Sequence, residues 1–258
     1  IARGDAYSGG VDSTFVLRVA REELGDRVVG LTTSSASLPA HELEEARAMA
    51  RDMGVRHLVV STDEVAIDDY ARNPANRCYF CKSNLYAICR EQGDAAGIAT
   101  ILDGVNLDDL GDFRPGLAAA SERGIRHPLV EAEMTKADVR AASAALLLPT
   151  ADKPAQPCLA SRFPYGTAIT HERLHRVVRE RHRVRAGVGV PRCHHDGARS
   201  LRGAPGADAD AQPRELHHEH ELLRRRHLRQ GPGALGDRTC VGEGKIVEAD
   251  QNVAALAP

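Results

Sequence analysis

Ser8-Gly9-Gly10-Val11-Asp12-Ser13 (SGGVDS) lies between a short strand-like stretch, Ile1 to Tyr7 (IARGDAY), and a helix whose first turn begins near Asp12. These residue types suit a phosphate. Two glycines let the backbone turn tightly and approach an anion, free N–H groups at the helix start point toward it, and Ser8 and Ser13 add hydroxyl donors. Asp12 is a candidate to help hold Mg²⁺. A Gly-Gly turn alone is commonly just a turn, and Asp and Ser at a helix start commonly just cap it. The strand–loop–helix context gives the hexapeptide its weight.

Outward from this loop, strand and helix signals alternate. Arg27 to Thr33 (RVVGLTT), Arg56 to Ser61 (RHLVVS) and Ile98 to Gly104 (IATILDG) read as short buried strands rich in β-branched residues. Asp12 to Leu24 and His41 to Met53 read as helices, with Gly25 and Gly54 placed to end them. Repeated βα units predict an α/β fold with a doubly wound parallel sheet. Ile1 to Tyr7 is short and polar for its central strand, which suggests a truncated or altered N-terminus.

Composition bounds the function classes. Hydrophobic content of 42% supports a sizeable core, and a net charge of -2 gives no global field toward nucleic acid or anionic membrane. No run of about 18 apolar residues occurs and no secretory leader is visible, so no membrane association and a cytoplasmic location are expected. All aromatic residues lie between Tyr7 and Tyr165, whereas most histidines lie between His171 and His227. Three regions follow: 1–133 around the phosphate loop, 134–177 around Cys158, and 178–258, rich in Arg, His, Gly, Pro and Ala. The last reads either as a flexible tail or as the product of a slipped reading frame.

Two further segments carry chemistry. Asp103-Gly104-Val105-Asn106-Leu107-Asp108-Asp109 follows a predicted strand, at the carboxyl edge of the sheet where ligands of open α/β folds bind. Asp103, Asn106, Asp108 and Asp109 are candidates to orient Mg²⁺ or substrate, against the alternative of an Asx-rich turn. Lys153 to Gly166 (KPAQPCLASRFPYG) sets Cys158, Ser161 and Arg162 among prolines that forbid a long helix. A cysteine in a restrained loop beside an arginine has the setting of a reactive thiolate, although free cysteine is also among the most buried residue types. Cys78-Tyr79-Phe80-Cys81 is a spacing more often metal-binding or redox-active than disulfide-forming in a reducing compartment.

SGGVDS resembles the signature of PP-loop ATP pyrophosphatases, relatives of NAD synthetase, GMP synthetase and the tRNA-thiolating enzymes. The resemblance implies an adenine nucleotide alpha-hydrolase-like fold in which Ser8, Gly9, Gly10, Val11, Asp12 and Ser13 cradle the pyrophosphate of ATP while AMP passes to a substrate oxygen. The Gly-Lys-Ser/Thr ending of a Walker loop is absent, which disfavours a kinase. Asn73 to Lys82 (NPANRCYFCK), Asp103 to Gly116 (DGVNLDDLGDFRPG), His127 to Glu131 (HPLVE) and the PCLASRFPYG segment together resemble the LarE family of ATP-dependent sulfur transferases, from about Ser8 to about Val177. That resemblance implies a mononucleotide substrate, pyridinium-3,5-biscarboxylic acid mononucleotide, on the route to the nickel-pincer cofactor of lactate racemase. It also places Cys158 at the sulfur-handling position.

The family has two chemistries. In one, a lone cysteine gives up its sulfur and becomes dehydroalanine. In the other, a CxxC pair joins it, and three thiolates, here Cys78, Cys81 and Cys158, hold a [4Fe-4S] cluster. The cluster is preferred over a zinc site completed by His127, His171 or another histidine, and over unliganded thiols. Cys89, Cys193 and Cys240 match no family site. Past residue 177 the family's glutamate-pair helix and Arg-x-Arg strand cannot be matched, with Arg192 at most a remnant; a homo-oligomer is expected only if that region is intact. Rival readings are an amide-forming ligase, a tRNA thiolase, or an inactive nucleotide-binding remnant. The basic tail lacks the interleaved aromatics of a base-stacking surface, so no nucleic-acid partner is expected.

Overall fold

The computed structural model of the chain describes residues 2–185 and 245–249. The reading of 178–258 as degenerate, with Arg192, Cys193 and Cys240, falls almost entirely outside these residues.

Five strands form one sheet: β1 (Ala2–Ala6), β2 (Val28–Ser34), β3 (Arg56–Ser61), β4 (Ile98–Leu102) and β5 (Lys245–Ala249), in the spatial order β4-β1-β2-β3-β5. The first four are mutually parallel, and β5 runs antiparallel along the outer edge of β3. The crossover helices are α1 (Val11–Leu24), α2 (Ala40–Asp52), and α4 (Arg77–Ala95), the last preceded by the single turn α3 (Asp68–Ala71). After β4 come α5 (Gly116–Glu122), α6 (Pro128–Glu131), α7 (Lys136–Ala145) and α8 (His171–Arg185). No helix among the described residues is long and apolar enough to cross a membrane.

Neighbouring residues of β2 show that the sheet is covered on both faces. Val28 packs with Leu17 and Ala20 of α1 and Ala46 and Ala50 of α2. Val29 and Leu31 pack on the opposite side with Tyr86 and Cys89 of α4 and Ala119 and Ala120 of α5. Side chains alternate across a strand, so both faces of β2 are apolar because both are buried. The chain steps from β1 outward to β3, then returns through α4 to place β4 on the other side of β1. Right-handed crossovers therefore put α4 on the face opposite α1 and α2, and the sheet is doubly wound as its alternation predicts.

β1 is central despite its polar sequence, paired with β2 on one side and β4 on the other. Gly4 makes this workable, because a Cβ there would lie 2.9 Å from both Leu31 and Ile101 side chains. β4 stops at Leu102, two residues before the predicted end at Gly104, because the Asp103 carboxylate accepts from the N–H of Val105 and turns the chain. Gly54 ends α2 in the left-handed region, at φ 64, as its position predicts.

Candidate active site

The strand order reverses at β1, and ligands of open α/β sheets bind outside the carboxyl ends of the strands at such a point. Ser8 to Ser13 occupies the β1 side. Gly9 has φ 71, and a Cβ on it would lie 2.8 Å from the Cβ of Ala46 in α2, so glycine is required there on both counts. Gly10 caps α1, and its carbonyl accepts from Thr14 N at 3.0 Å. The N–H groups of Val11, Asp12 and Ser13 in the first turn have no intrahelical acceptor by the geometry of a helix start. The Ser8 and Ser13 hydroxyls lie 3.0 Å apart, and Ser13 Oγ also accepts from Ser8 N at 3.2 Å, which closes the loop on itself.

The turn after β4 lies against this helix start. A Cβ at Gly104 would sit 2.7 Å from the backbone nitrogen of Ser13, so only glycine lets the two segments meet. Asn106 Nδ2 donates to Asp12 Oδ1 at 3.2 Å, while Asp12 Oδ2 pairs with the Lys136 ammonium from the first turn of α7. The four polar candidates of this turn thus separate by role. Asn106 reaches the phosphate loop. Asp108 accepts from Lys136 N at 2.9 Å at the start of α7, and Asp109 pairs with Arg114 at 2.6 Å and accepts from Asn106 N at 3.1 Å.

Asp103 lies beneath, accepting from Tyr86 OH at 2.6 Å and facing His127 Nδ1 at 2.6 Å. Burial works to raise its pKa, but the bonds from His127 and Tyr86 outweigh this and hold it below the usual carboxylate range. The bond to Asp103 raises the His127 pKa in turn. Asp5 of β1 is wholly buried and neither of its oxygens has a hydrogen-bond partner. Burial, reinforced by the Asp103 charge, pushes its pKa well up against an opposing contribution from Lys82.

The thiols gather at the start of α4. Cys78 and Cys81 lie one turn apart there, Cys78 exposed and Cys81 half-buried, while exposed Cys158 caps a short 3₁₀ turn, Leu159–Arg162. Burial above all, then the Glu64 charge, pushes the Cys81 thiol up to about 12, with Lys82 opposing and with Cys158 and Cys78 close enough to add to the shift. The Cys158 segment is fastened to α3 and α4 through Asn73 and Arg77, and through Ile169 N, which donates to the Ala71 carbonyl at 2.8 Å. Asn73, buried at φ 55, donates through Nδ2 to the carbonyls of Pro164 (2.8 Å) and Thr167 (3.0 Å), and its own carbonyl accepts from Gly166 N at 2.8 Å. Buried Arg77 donates to Asn73 Oδ1 at 2.7 Å and to the Ala160 carbonyl at 3.0 Å.

Ser161 Oγ donates at 2.7 Å to the carbonyl of Cys158, and Arg162 is exposed without an ion pair among the described residues. Cys89 is a core residue. Among the described residues no three His, Cys, Asp or Glu side chains are grouped to hold a single metal ion. His127 Nδ1 faces Asp103 at 2.6 Å and His171 Nε2 lies 2.9 Å from Asp63, and each ring keeps a second nitrogen beyond that contact.

Sequence reading passed over Lys136, Lys153, Asn73 and Arg77. Thr135 and Asp138 form a capping box that marks where α7 starts, but nothing local tells that Lys136 reaches Asp12. A cavity of about 560 Å³ opens beside Gly9 between α2 and residues 149–156, with Glu42, Glu45, Asp52 and Asp152 in its wall. His41 and Lys153 line the same cavity, with Lys153 paired to Glu42 and Glu45.

No family model matches the chain. It is 53% identical over 174 residues to an uncharacterized protein of Synechocystis sp., covering 67% of this chain and 65% of that relative. It is 36% identical over 199 residues to the pyridinium-3,5-bisthiocarboxylic acid mononucleotide synthase of Lactiplantibacillus plantarum, covering 75% of this chain and 72% of the relative. An uncharacterized protein of Methanocaldococcus jannaschii is 27% identical over 172 residues, covering 67% of this chain and 65% of its own length. The chain thus spans about two thirds of the length of these relatives. On the strength of the Lactiplantibacillus match, the chain belongs to the LarE family, that of the pyridinium-3,5-bisthiocarboxylic acid mononucleotide synthase.

Proposed function

We propose that the protein is an ATP-dependent sulfur transferase that adenylylates a carboxylate of a pyridinium mononucleotide and replaces its oxygen with sulfur. One observation carries this reading. Lys153 touches the carbonyl of Gly9 in the phosphate loop at 3.1 Å, and Cys158 follows five residues later, so one short segment joins a phosphate site to a thiol.

In the first step a substrate carboxylate oxygen attacks the α-phosphorus, and pyrophosphate leaves into Ser8 to Ser13. Asp12, which here meets Asn106 and Lys136, would offer a carboxylate oxygen to magnesium, and the ion would supply charge neutralisation at the phosphates. In the second step a sulfur nucleophile attacks the acyl adenylate and AMP leaves. Cys78, Cys81 and Cys158, two of them exposed, offer three thiols, the number that would leave one iron of a [4Fe-4S] cluster without a protein ligand. When bound at Cys78, Cys81 and Cys158, that cluster would supply the transferable sulfide. Without it, Cys158 would donate its own sulfur and end as dehydroalanine.

The test is to follow AMP and pyrophosphate with pyridinium-3,5-biscarboxylic acid mononucleotide present or absent, using protein reconstituted anaerobically with iron and sulfide. Substrate-dependent release of both products is expected. Broad visible absorption lost in Cys78→Ala or Cys81→Ala, with Cys158 of unchanged mass after turnover, identifies the cluster route. Colourless protein with Cys158 converted to dehydroalanine identifies the sacrificial route. No product release with this substrate overturns the proposal.

A further inference from the structure

We infer that Lys153 is a positioning residue for the phosphate loop, holding the Gly9–Gly10 peptide in the one orientation that presents an N–H group to the anion. This rests on reading Ser8 to Ser13 as the site of the ATP phosphates.

A trans peptide fixes its C=O and N–H on opposite sides. In the Gly9–Gly10 unit the carbonyl accepts from Lys153 Nζ at 3.1 Å, on the side of the loop that faces α2. The Gly10 N–H must then face away from α2, and it donates to no protein acceptor among the described residues. Turned the other way, the same peptide would aim its carbonyl oxygen at a phosphate. Two consecutive glycines make such a turn inexpensive, because neither carries a Cβ to resist it. The residue types that let the loop approach an anion also leave its orientation underdetermined, and an outside contact has to select it.

Lys153 is built for that contact. Its ammonium lies 2.7 Å from Glu42 and 2.9 Å from Glu45 on α2, and its side chain is only 15% exposed. Its backbone is held too, the N–H by the carbonyl of Thr150 at 2.9 Å and the carbonyl by Arg140 of α7 at 3.0 Å. An ammonium held on two carboxylates keeps a donor aimed at Gly9. No phosphate contact by Lys153 itself is required, which separates this role from that of a phosphate-binding lysine.

The test compares wild type, Lys153→Met, and the double variant Glu42→Gln with Lys153→Met, which avoids leaving Glu42 as an uncompensated buried charge. Binding of a non-hydrolysable ATP analogue and of inorganic pyrophosphate, each with Mg²⁺, is measured alongside the thermal midpoint. The expected result is about a tenfold or greater loss of affinity for both probes in both variants, since a turned peptide replaces a donor with a repelling acceptor. The double variant should keep its midpoint within a few degrees of wild type. Affinity for pyrophosphate within twofold of wild type in the double variant overturns the inference, as does loss for the ATP analogue alone. Wild-type protein that binds neither probe would instead overturn the phosphate-site reading, and the role of Lys153 with it.

Discussion

Asp5 places a carboxylic acid with no hydrogen-bond partner in the middle of the central strand. Its folded pKa is raised, whereas the unfolded chain ionises near the ordinary value of about 4. Its contribution to stability is therefore full below about pH 4 and is lost as pH rises through the folded value. His127, also raised, acts in the same direction above its unfolded value of about 6.5, while Asp103, held low, weakens the fold only as pH falls through its folded value. Asp5→Val should stabilise the protein by about 1–3 kcal/mol at pH 8 and by less at pH 5, by thermal or urea unfolding. A gap that does not widen with pH would count against a protonated Asp5. Gly10 tests the loop itself. A Cβ there meets nothing nearer than Ser8 Oγ at 3.5 Å, so Gly10→Val should fill the anion site without disturbing the body. ATP binding is expected to fall at least about tenfold with the circular dichroism unchanged. The strand–loop–helix turn was legible in the sequence because its glycines and serines are adjacent residues. Lys136 and Lys153 were not, because their partners lie 124 and 144 positions away.

At the scale of elements, the placement of the thiols depends on how the segment around Cys158 docks on α3 and α4. The prolines of 153–166 correctly implied no long helix, and only the four-residue turn Leu159–Arg162 forms. What the sequence could not disclose is the fastening, because Asn73 and Arg77 look like the residues of any exposed helix start. Asn73→Ala removes two donors to the 158–169 segment and leaves the Arg77 guanidinium buried with fewer partners. The cost should be about 2–4 kcal/mol. Alkylation of Cys158 should accelerate with it, measured by mass spectrometry under native conditions; an unchanged rate would mean that the segment is held by its apolar contacts with Tyr70 and Phe80 instead.

Across the whole molecule, the alternation of β-branched runs and helical runs was enough to read a doubly wound parallel sheet, because both periodicities are local. The order of strands was not, since it depends on which face each crossover takes. β5 was missed because its stretch reads as part of a tail of little periodicity. It covers the outer edge of β3, whose other edge pairs with β2. A chain ended after Arg185 would leave that edge bare beside the buried hydrophobic residues Leu58, Val59 and Val60. Such a chain should bind ATP as before, because the loop lies two strands away, yet associate with rising concentration, visible by light scattering. A strictly monomeric product would deny β5 this covering role.

The asparagine fastening also sets an order of assembly. The bonds of Asn73 to Pro164 and Thr167 span 91 and 94 positions, a loop that contains α4, β4 and α5 to α7. Closing so long a loop is slow relative to local helix formation. Cys78 and Cys81, one turn apart on α4, are therefore expected to be placed by local helix formation before Cys158 reaches them across that loop.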